Sequence, residues 1–522
     1  MKKEQFYELL GEVDEKAVND AEKAPVKQVK RIWMRYTAVV AACLLVITGA
    51  GIWYMHTNQH SSISKNTANK NPGTEYNHTN EPLPTKNETD EPIPTVNETD
   101  EPNPTENNPG YKNKMLLAAA IYPAMPPYPD GSQKAYKEWH EAKLALRNQP
   151  EGYDDGFDTF FSNSTRTFLS GAGTENIVYS PLSLYMALGM SAEISDGNTR
   201  QQILDVLAQD DIDTLRSHAR SIWQANYMDD GMAKCILATS LWTNDNITYH
   251  QNTFDSLAKN YYSSVFSGDP SSDEYNKLLQ DWLNEQTDGL LDNFISDIKM
   301  NPETVLMLAS TVNYSGKWNN KFSGELTKPD VFHSPDGAVQ CDFMNAERTN
   351  SYSWGKKFSA VSLGLENNGE MRLILPDEGF SPEDLIKDDE LIGYMMNWYD
   401  YTNSKYVLVN ISVPKFDVSS NIDLKDGLNK LGITDIFDPT KSDFSPLTEN
   451  ADGIAISKAE QNTRVLIDEE GCKAASLTVM DYNGSGMPKE QVDFTLDRPF
   501  IFEIMSENGL PLFVGIVNNP IA

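Results

Sequence analysis

Cysteine and histidine are scarce in this chain of 522 residues, with four of the first and seven of the second. Cys43, Cys235, Cys341 and Cys472 are too scattered for a disulfide framework, and none belongs to a Cys-x-x-Cys pair suited to zinc. A His-Glu-x-x-His pair and a Gly-x-Ser-x-Gly elbow are both missing, which removes the local signatures of zinc and serine hydrolases. No metal, cofactor or catalytic residue is assigned on these grounds, and an enzyme becomes the weakest functional reading; a Ser/His/Asp site assembled from distant positions is the form left to it. Basic residues are also the minority, 43 against 76 acidic ones, giving a formal charge of -33. A surface so acidic repels phosphate backbones and anionic lipid, so nucleic acid is excluded as a partner.

One long apolar run is present, YTAVVAACLLVITGAGIWY at residues 36–54. It is about long enough to cross a ~30 Å hydrocarbon core as a helix, with Trp33, Tyr36, Trp53 and Tyr54 placed as interfacial belts. Lys23, Lys27, Lys30, Arg31 and Arg35 crowd its N-terminal flank, and no Lys or Arg follows until Lys65, so the N-terminus is expected inside the cell. The expected order is a cytoplasmic tail at 1–35, a single-pass membrane anchor at 36–55 and an extracellular remainder. The 35 residues before the run are long for a cleaved secretory leader, and Cys43 stands near the start of the run, which argues against a lipoprotein box.

Phe6, Leu9, Leu10, Val13, Ala17 and Val18 recur at helical spacing in the tail, offering a short apolar face to a cytoplasmic partner; an idle solvated tail fits them equally well. Beyond the anchor, EPLPTKNETD, EPIPTVNETD and EPNPTENNPG begin at Glu81, Glu91 and Glu101. Such alternate prolines with polar neighbours have no apolar face to bury and favour an extended spacer. At ~3.1 Å per residue, a linker over 56–113 has a contour on the order of 180 Å, a reach suited to the thick wall of a bacterium.

Apolar, aromatic and turn residues return at globular density from Lys114, and one domain is expected over 114–522. Helical patterns fall near 158–171, 181–193, 198–208, 212–227, 251–262 and 275–286, with strand patterns at 305–313, 360–365, 371–375 and 406–413. Both kinds without regular βαβ alternation predict an α+β fold. The run MLLAAAIYPAMPPY at 115–128 either adds an extra strand or lies across the surface.

Five blocks then stand in a telling order: NIVYSPLSLYMALGMSAEISDGNTRQQILDVL from Asn176, LMLASTVNYSGKWNNKF from Leu306, MRLILPDEG from Met371, SVPKFDVSSNIDLKDGLNKLGITDIFD from Ser412 and DRPFIFEIMSENGLPLFVGIVNNP from Asp497. Together they resemble the serpin family over nearly the whole outer domain, from about residue 156. The resemblance implies three β-sheets, about eight or nine helices and an exposed reactive-centre loop that, once cut, enters the main sheet as a new strand. DEEGCKAASLTVMDYNGSGMPKEQVD at 468–493 falls where the family has that loop.

Alternate residues of an inserting strand face the underside of the sheet, so their size decides whether it can enter. Cys472, Ala474, Ser476 and Thr478 are small, while Lys473, Ala475, Leu477, Val479 and Asp481 fall on the other face. Glu469, Glu470 and Gly471 look like the family's hinge, glycine permitting the sharp backbone change. Family spacing puts the reactive bond between Ser485 and Gly486, within about two residues. The resemblance places Ser180, Ser183, Ser310, Trp318 and Gln461 in the region where the main sheet opens. Cys472 stands where Thr or Ser is usual, Ser310 where Asn is usual and Gln461 where His is usual, so the latch on sheet opening is expected to be built differently.

Two functions follow as expectations. The first is a suicide-substrate inhibitor of subtilisin-, elastase- or chymotrypsin-like serine proteases, and also of papain-like cysteine proteases. The second is a non-inhibitory binding or protease-sensing surface protein. Small hinge residues favour the first.

Overall fold

The computed structural model describes residues 114–129, 131–291, 295–296, 298–366, 369–397, 401–456, 458–472 and 490–521. The expected tail, anchor and repeat linker lie outside them, and among the described residues no helix is long and apolar enough to cross a membrane. All of them belong to one compact unit, Glu98–Ala522.

Ten α-helices and seventeen strands are described. The chain opens with β1 (Leu116–Ala118), α1 (Gln133–Arg147), α2 (Phe157–Leu169), β2 (Ile177–Tyr179), α3 (Pro181–Glu193), α4 (Gly197–Leu207) and α5 (Ile212–Asn226). It continues through β3 (Met228–Asp229), β4 (Lys234–Asn244), α6 (Gln251–Asn260), β5 (Ser263–Gly268), α7 (Asp273–Gln286) and β6 (Leu306–Lys317). Then come β7 (Lys328–Ser334), β8 (Gly337–Trp354), β9 (Phe358–Gly364), β10 (Glu370–Pro376), α8 (Pro382–Ile386), α9 (Asp389–Asn397), β11 (Ser404–Pro414) and β12 (Phe416–Asp423). The last are α10 (Leu424–Leu431), β13 (Glu460–Ile467), β14 (Gly471–Cys472), β15 (Gln491–Thr495), β16 (Phe500–Met505) and β17 (Pro511–Val517).

The main sheet runs β1-β5-β4-β6-β14-β13-β12, with β3 beside β4. A second ladder runs β15-β11-β8-β9-β10-β16-β17-β2, with β7 beside β8. Long β8 is shared: it pairs with β7 and β11 over most of its length and with β9 only at Tyr352, Ser353 and Trp354. Counted at that crossing, the α+β fold has the three expected sheets. The ten described helices stand close to the eight or nine that the resemblance implies. Residues 115–128 do both things left open by their sequence: β1 extends the main sheet beside β5, and the following segment runs on to Tyr128, whose N–H donates to Asp230 O at 2.8 Å.

Helix α3 passes behind the main sheet and is buried almost all round, as its unbroken apolar sequence requires. Ser180 begins it, its hydroxyl accepting from Ser183 N–H at 3.2 Å while Pro181 takes the first helical position, where a missing N–H costs nothing. β16 and β17 are buried at every residue, which is why they read as continuous apolar runs instead of alternating ones. A pair of charged groups is buried beside these strands. Arg372 of β10 stands opposite Glu503 of β16, donates to its carboxylate at 3.0 Å and to Met395 O at 2.7 Å, and reaches Glu370 at 2.8 Å.

Burial pushes the Glu503 carboxyl up to about 7, against the opposing pull of Arg372. A carboxyl raised by folding takes up a proton in the folded state. Its contribution to stability is therefore complete below the unfolded value of about 4.3 and is lost as pH rises through 7. Glu503→Gln should flatten the decline in thermal midpoint between about pH 4.3 and about pH 7, as measured by circular dichroism.

Candidate functional site

The site begins where β13 ends. A tight turn at Asp468 to Gly471 reverses the chain, with Asp468 N–H donating to Gly471 O at 3.2 Å and Gly471 N–H returning the bond at 3.3 Å. The Asp468 side chain accepts from Glu470 N–H at 2.8 Å, fixing the turn from within. β14 then starts back between β13 and β6, pairing Cys472 with both Ile467 and Gly316, and Gly471 with Lys317.

Gly471 is required on two counts. Its φ is +139°, and a Cβ there would lie 2.6 Å from Gly316 O and from Lys317 Cα. β6 closes over the turn from the other side: Trp318 N–H donates to Glu470 O at 3.1 Å, its indole N–H to Asp468 O at 2.8 Å, and Phe322 N–H to Glu469 O at 3.1 Å. Two ion pairs sit at the rim. Glu469 meets Lys415 at 2.9 Å and accepts from the Thr327 hydroxyl at 2.9 Å, and Glu470 meets Lys321. Partial burial raises the Glu469 carboxyl, but the bonds from Lys415 and Thr327 outweigh it and hold the group below its ordinary range. Lys415, Lys321 and Thr327 carried no sequence signal, because each meets the hinge only through folding.

Below this turn no described strand lies between β6 and β13. β6 pairs with β4 on one side and β13 with β12 on the other, and among the described residues only β14 joins their facing edges. The gap is walled by Ser310 to Tyr314 and by Gln461 to Leu466, and it widens downward into a cavity of about 500 Å³ bounded by α3 and α10. Thr311 Oγ1 and Asn462 Oδ1 in these walls are buried without a hydrogen-bond partner.

The N-terminus of α3 holds both walls. Ser180 N–H donates to Gln461 Oε1 at 2.8 Å, and Gln461 Nε2 donates back to Ser180 O at 3.1 Å. On the opposite wall the Ser310 hydroxyl donates to Ser183 O at 3.1 Å and lies 2.9 Å from the Ser183 hydroxyl. Gln461 and Ser310 therefore each bond to the helix and not to each other. Ser180, Ser183, Ser310 and Gln461 form one cluster, whereas Trp318, grouped with them from sequence, belongs to the hinge. Glu469, Glu470 and Gly471 lie in the turn between β13 and β14, and the backbone of Cys472 pairs with both β13 and β6. Ala474, Ala475, Ser476, Thr478 and the Ser485–Gly486 bond lie outside the described residues. The loop resumes at Glu490, which pairs with Lys405 beside β15.

A family profile described as Serpin (serine protease inhibitor) matches residues 158–520. The chain belongs to the serpin family. It is similar to the alpha-1-antiproteinase of Rattus norvegicus, with 28% identity over 369 residues that cover 68% of this chain and 86% of that one. Tengpin, a thermophilic serpin solved in its native state, superposes with a TM-score of 0.64 at 27% identity, covering 71% of this chain and 95% of its own. A thyroxine-binding globulin complexed with thyroxine has the same fold, with a TM-score of 0.61, 21% identity and coverage of 71% and 99%.

Two substitutions test how this serpin's site is held. Gly471→Ala combines a strained φ with backbone overlap and should cost more than about 2 kcal/mol in denaturant unfolding of the intact chain. Gln461→Ala leaves the buried N–H of Ser180 unpaired, while its C=O still accepts from Leu184 N–H, and should cost about 1–3 kcal/mol, read as a lower thermal midpoint of the intact chain.

Proposed function

We propose that this serpin is a suicide-substrate inhibitor of serine proteases that traps the acyl-enzyme by inserting its cut loop between β6 and β13. The observation that carries this reading is β14, where the hinge glycine Gly471 and Cys472 are paired between β6 and β13, whose facing edges no other described strand pairs. The residues that follow suit the gap. Ala474, Ser476 and Thr478 point one way along an extended chain, and no proline interrupts the ladder before Pro488.

Insertion converts unpaired edges into ladders on both sides of the new strand. About ten added bonds at ~0.5 to 1.5 kcal/mol each amount to on the order of 10 kcal/mol, the scale of a domain's stability. That release is large enough to drag a protease acylated near Ser485 across the molecule and distort its active site before the ester is hydrolysed. The serpin supplies no catalytic group, metal or cofactor; the chemistry belongs to the protease. A small residue at the reactive bond suits subtilisin- or elastase-like pockets, and a cut at Tyr482 or Met487 suits a chymotrypsin-like one. Papain-like cysteine proteases form the corresponding thioester and fall within the same scheme.

The proposal extends to location. Residues 36–55 anchor the chain as a single membrane pass with residues 1–35 inside, the linker over 56–113 spans a bacterial wall, and the inhibitor domain stands outside. Thyroxine binding by a protein of the same fold illustrates the competing reading, a binding or sensing protein that does not inhibit.

Incubation with subtilisin, elastase, chymotrypsin and trypsin, followed by denaturing electrophoresis and intact mass, separates the two. Inhibition predicts a denaturant-resistant complex of protease with a chain lacking its C-terminal fragment, and Ala474→Arg should abolish it while leaving the loop cleavable. Cleavage by every protease with release of active enzyme would replace inhibition by the binding or sensing role.

A further inference from the structure

The stretch that matches the family begins at residue 158, and within it β5 is the outermost strand on its side of the main sheet. β5 makes a poor edge. Its sequence, SSVFSG over Ser263–Gly268, is buried at every residue except Ser267, contains no charged residue and no proline, and pairs with β4 in unbroken register. An edge of that kind offers its outward N–H and C=O groups as a template for a further strand, and natural sheets protect their edges with charge, proline, bulges or very short strands. None of these devices is found in β5.

Residues 115–129, ahead of the matched stretch, supply what β5 lacks. Leu116 and Ala118 of β1 pair with Phe266 and Val265, Ser267 N–H donates to Met115 O at 2.8 Å, and Ala120 N–H donates to the Ser264 hydroxyl at 3.2 Å. The segment is then fastened by Tyr122, whose ring lies 5.1 Å from that of Trp223 and 5.8 Å from that of Tyr227, and by Tyr128 N–H, which donates to Asp230 O at 2.8 Å. β1 is itself a protected edge: it is three residues long, its register shifts between Leu116 and Ala118, and Pro123, Pro126, Pro127 and Pro129 follow with no N–H to offer. The margin of the sheet is thereby moved from an unprotected strand to a protected one.

Occupation of such an edge is a competition between strands. A segment of the same chain competes at an effective concentration on the order of millimolar, above that at which a second copy is met in dilute solution. Two freed β5 edges, by contrast, can pair with each other across a two-fold axis, the same surface serving on both copies. We propose that the outer edge of β5 is a strand-acceptor site, that residues 115–120 fill it, and that β5 of a second copy of this chain is the partner they exclude. The proposal stands apart from the inhibitory reading, since it uses neither the reactive loop nor the region between β6 and β13.

The test uses the full chain carrying Leu117→Pro and Ala118→Pro together, which removes two successive N–H groups and breaks the pairing whichever of them faces β5. Leu116→Gly with Ala118→Gly is the milder variant should the prolines prevent folding. Light scattering over a range of concentrations gives the mass. Each variant should reach twice the mass of the parent as concentration rises, and when dilute should exchange the amide hydrogens of 263–268 faster than the parent does. Ser267→Lys, added to either variant, puts a charge on the freed edge and should restore the parent's mass, as should a synthetic peptide of residues 114–122 supplied in trans. A folded variant that keeps the parent's mass at every concentration overturns the proposal. Association that persists unchanged with Ser267→Lys and with the peptide overturns it as well, because the contact then lies elsewhere than β5.

Discussion

The facing edges of β6 and β13 carry backbone donors and acceptors that no described strand pairs below Gly316, and the surrounding structure is arranged around that deficit. Buried backbone groups are nearly always bonded, and sheets usually blunt or cover an open edge. Here two edges face each other in the middle of a sheet with β14 alone between them among the described residues. What keeps them apart is the start of α3, which engages the Gln461 amide on one wall and the Ser310 hydroxyl on the other. Thr311 and Asn462 add buried side-chain atoms that want partners.

The turn from Asp468 to Gly471 is held by backbone bonds more than by charge. Its ion pairs are partly exposed, and pairs of that kind contribute little on their own. The turn is held instead by backbone bonds from Trp318 and Phe322 and by the indole of Trp318, all supplied by the segment that follows β6. Gly471 lets the chain double back against that segment without a side chain in the way. The outer edge of the same sheet is treated in the opposite manner: β1 covers β5, leaving the central gap as the place where a strand can be added.

Much of this was legible in the sequence. The helices over 181–193 and 212–227 were placed to within a residue because their apolar spacing is strong, and the Ser180-Pro181 pair marks a helix start by known capping chemistry. Helix α1 was missed for a physical reason. Its buried residues are Trp139 and Lys143, so the face it presents to the domain includes a lysine and has no clean apolar stripe. Glu469, Glu470 and Gly471 were singled out by the family resemblance and not by a local pattern of their own. Lys415, Thr327 and Lys321 were not, since an ion pair between residues far apart in sequence leaves no local pattern.

The sequence by itself determined the order of the elements, the absence of local metal and catalytic motifs, and the size pattern of the residues after Gly471, because capping, periodicity and side-chain volume act within a few residues. Only the tertiary structure decided that Gln461 and Ser310 both bond to α3, that Trp318 belongs to the hinge, and that α1 meets Glu507. Those contacts join segments separated by more than a hundred residues, and their geometry exists only once the sheets have formed.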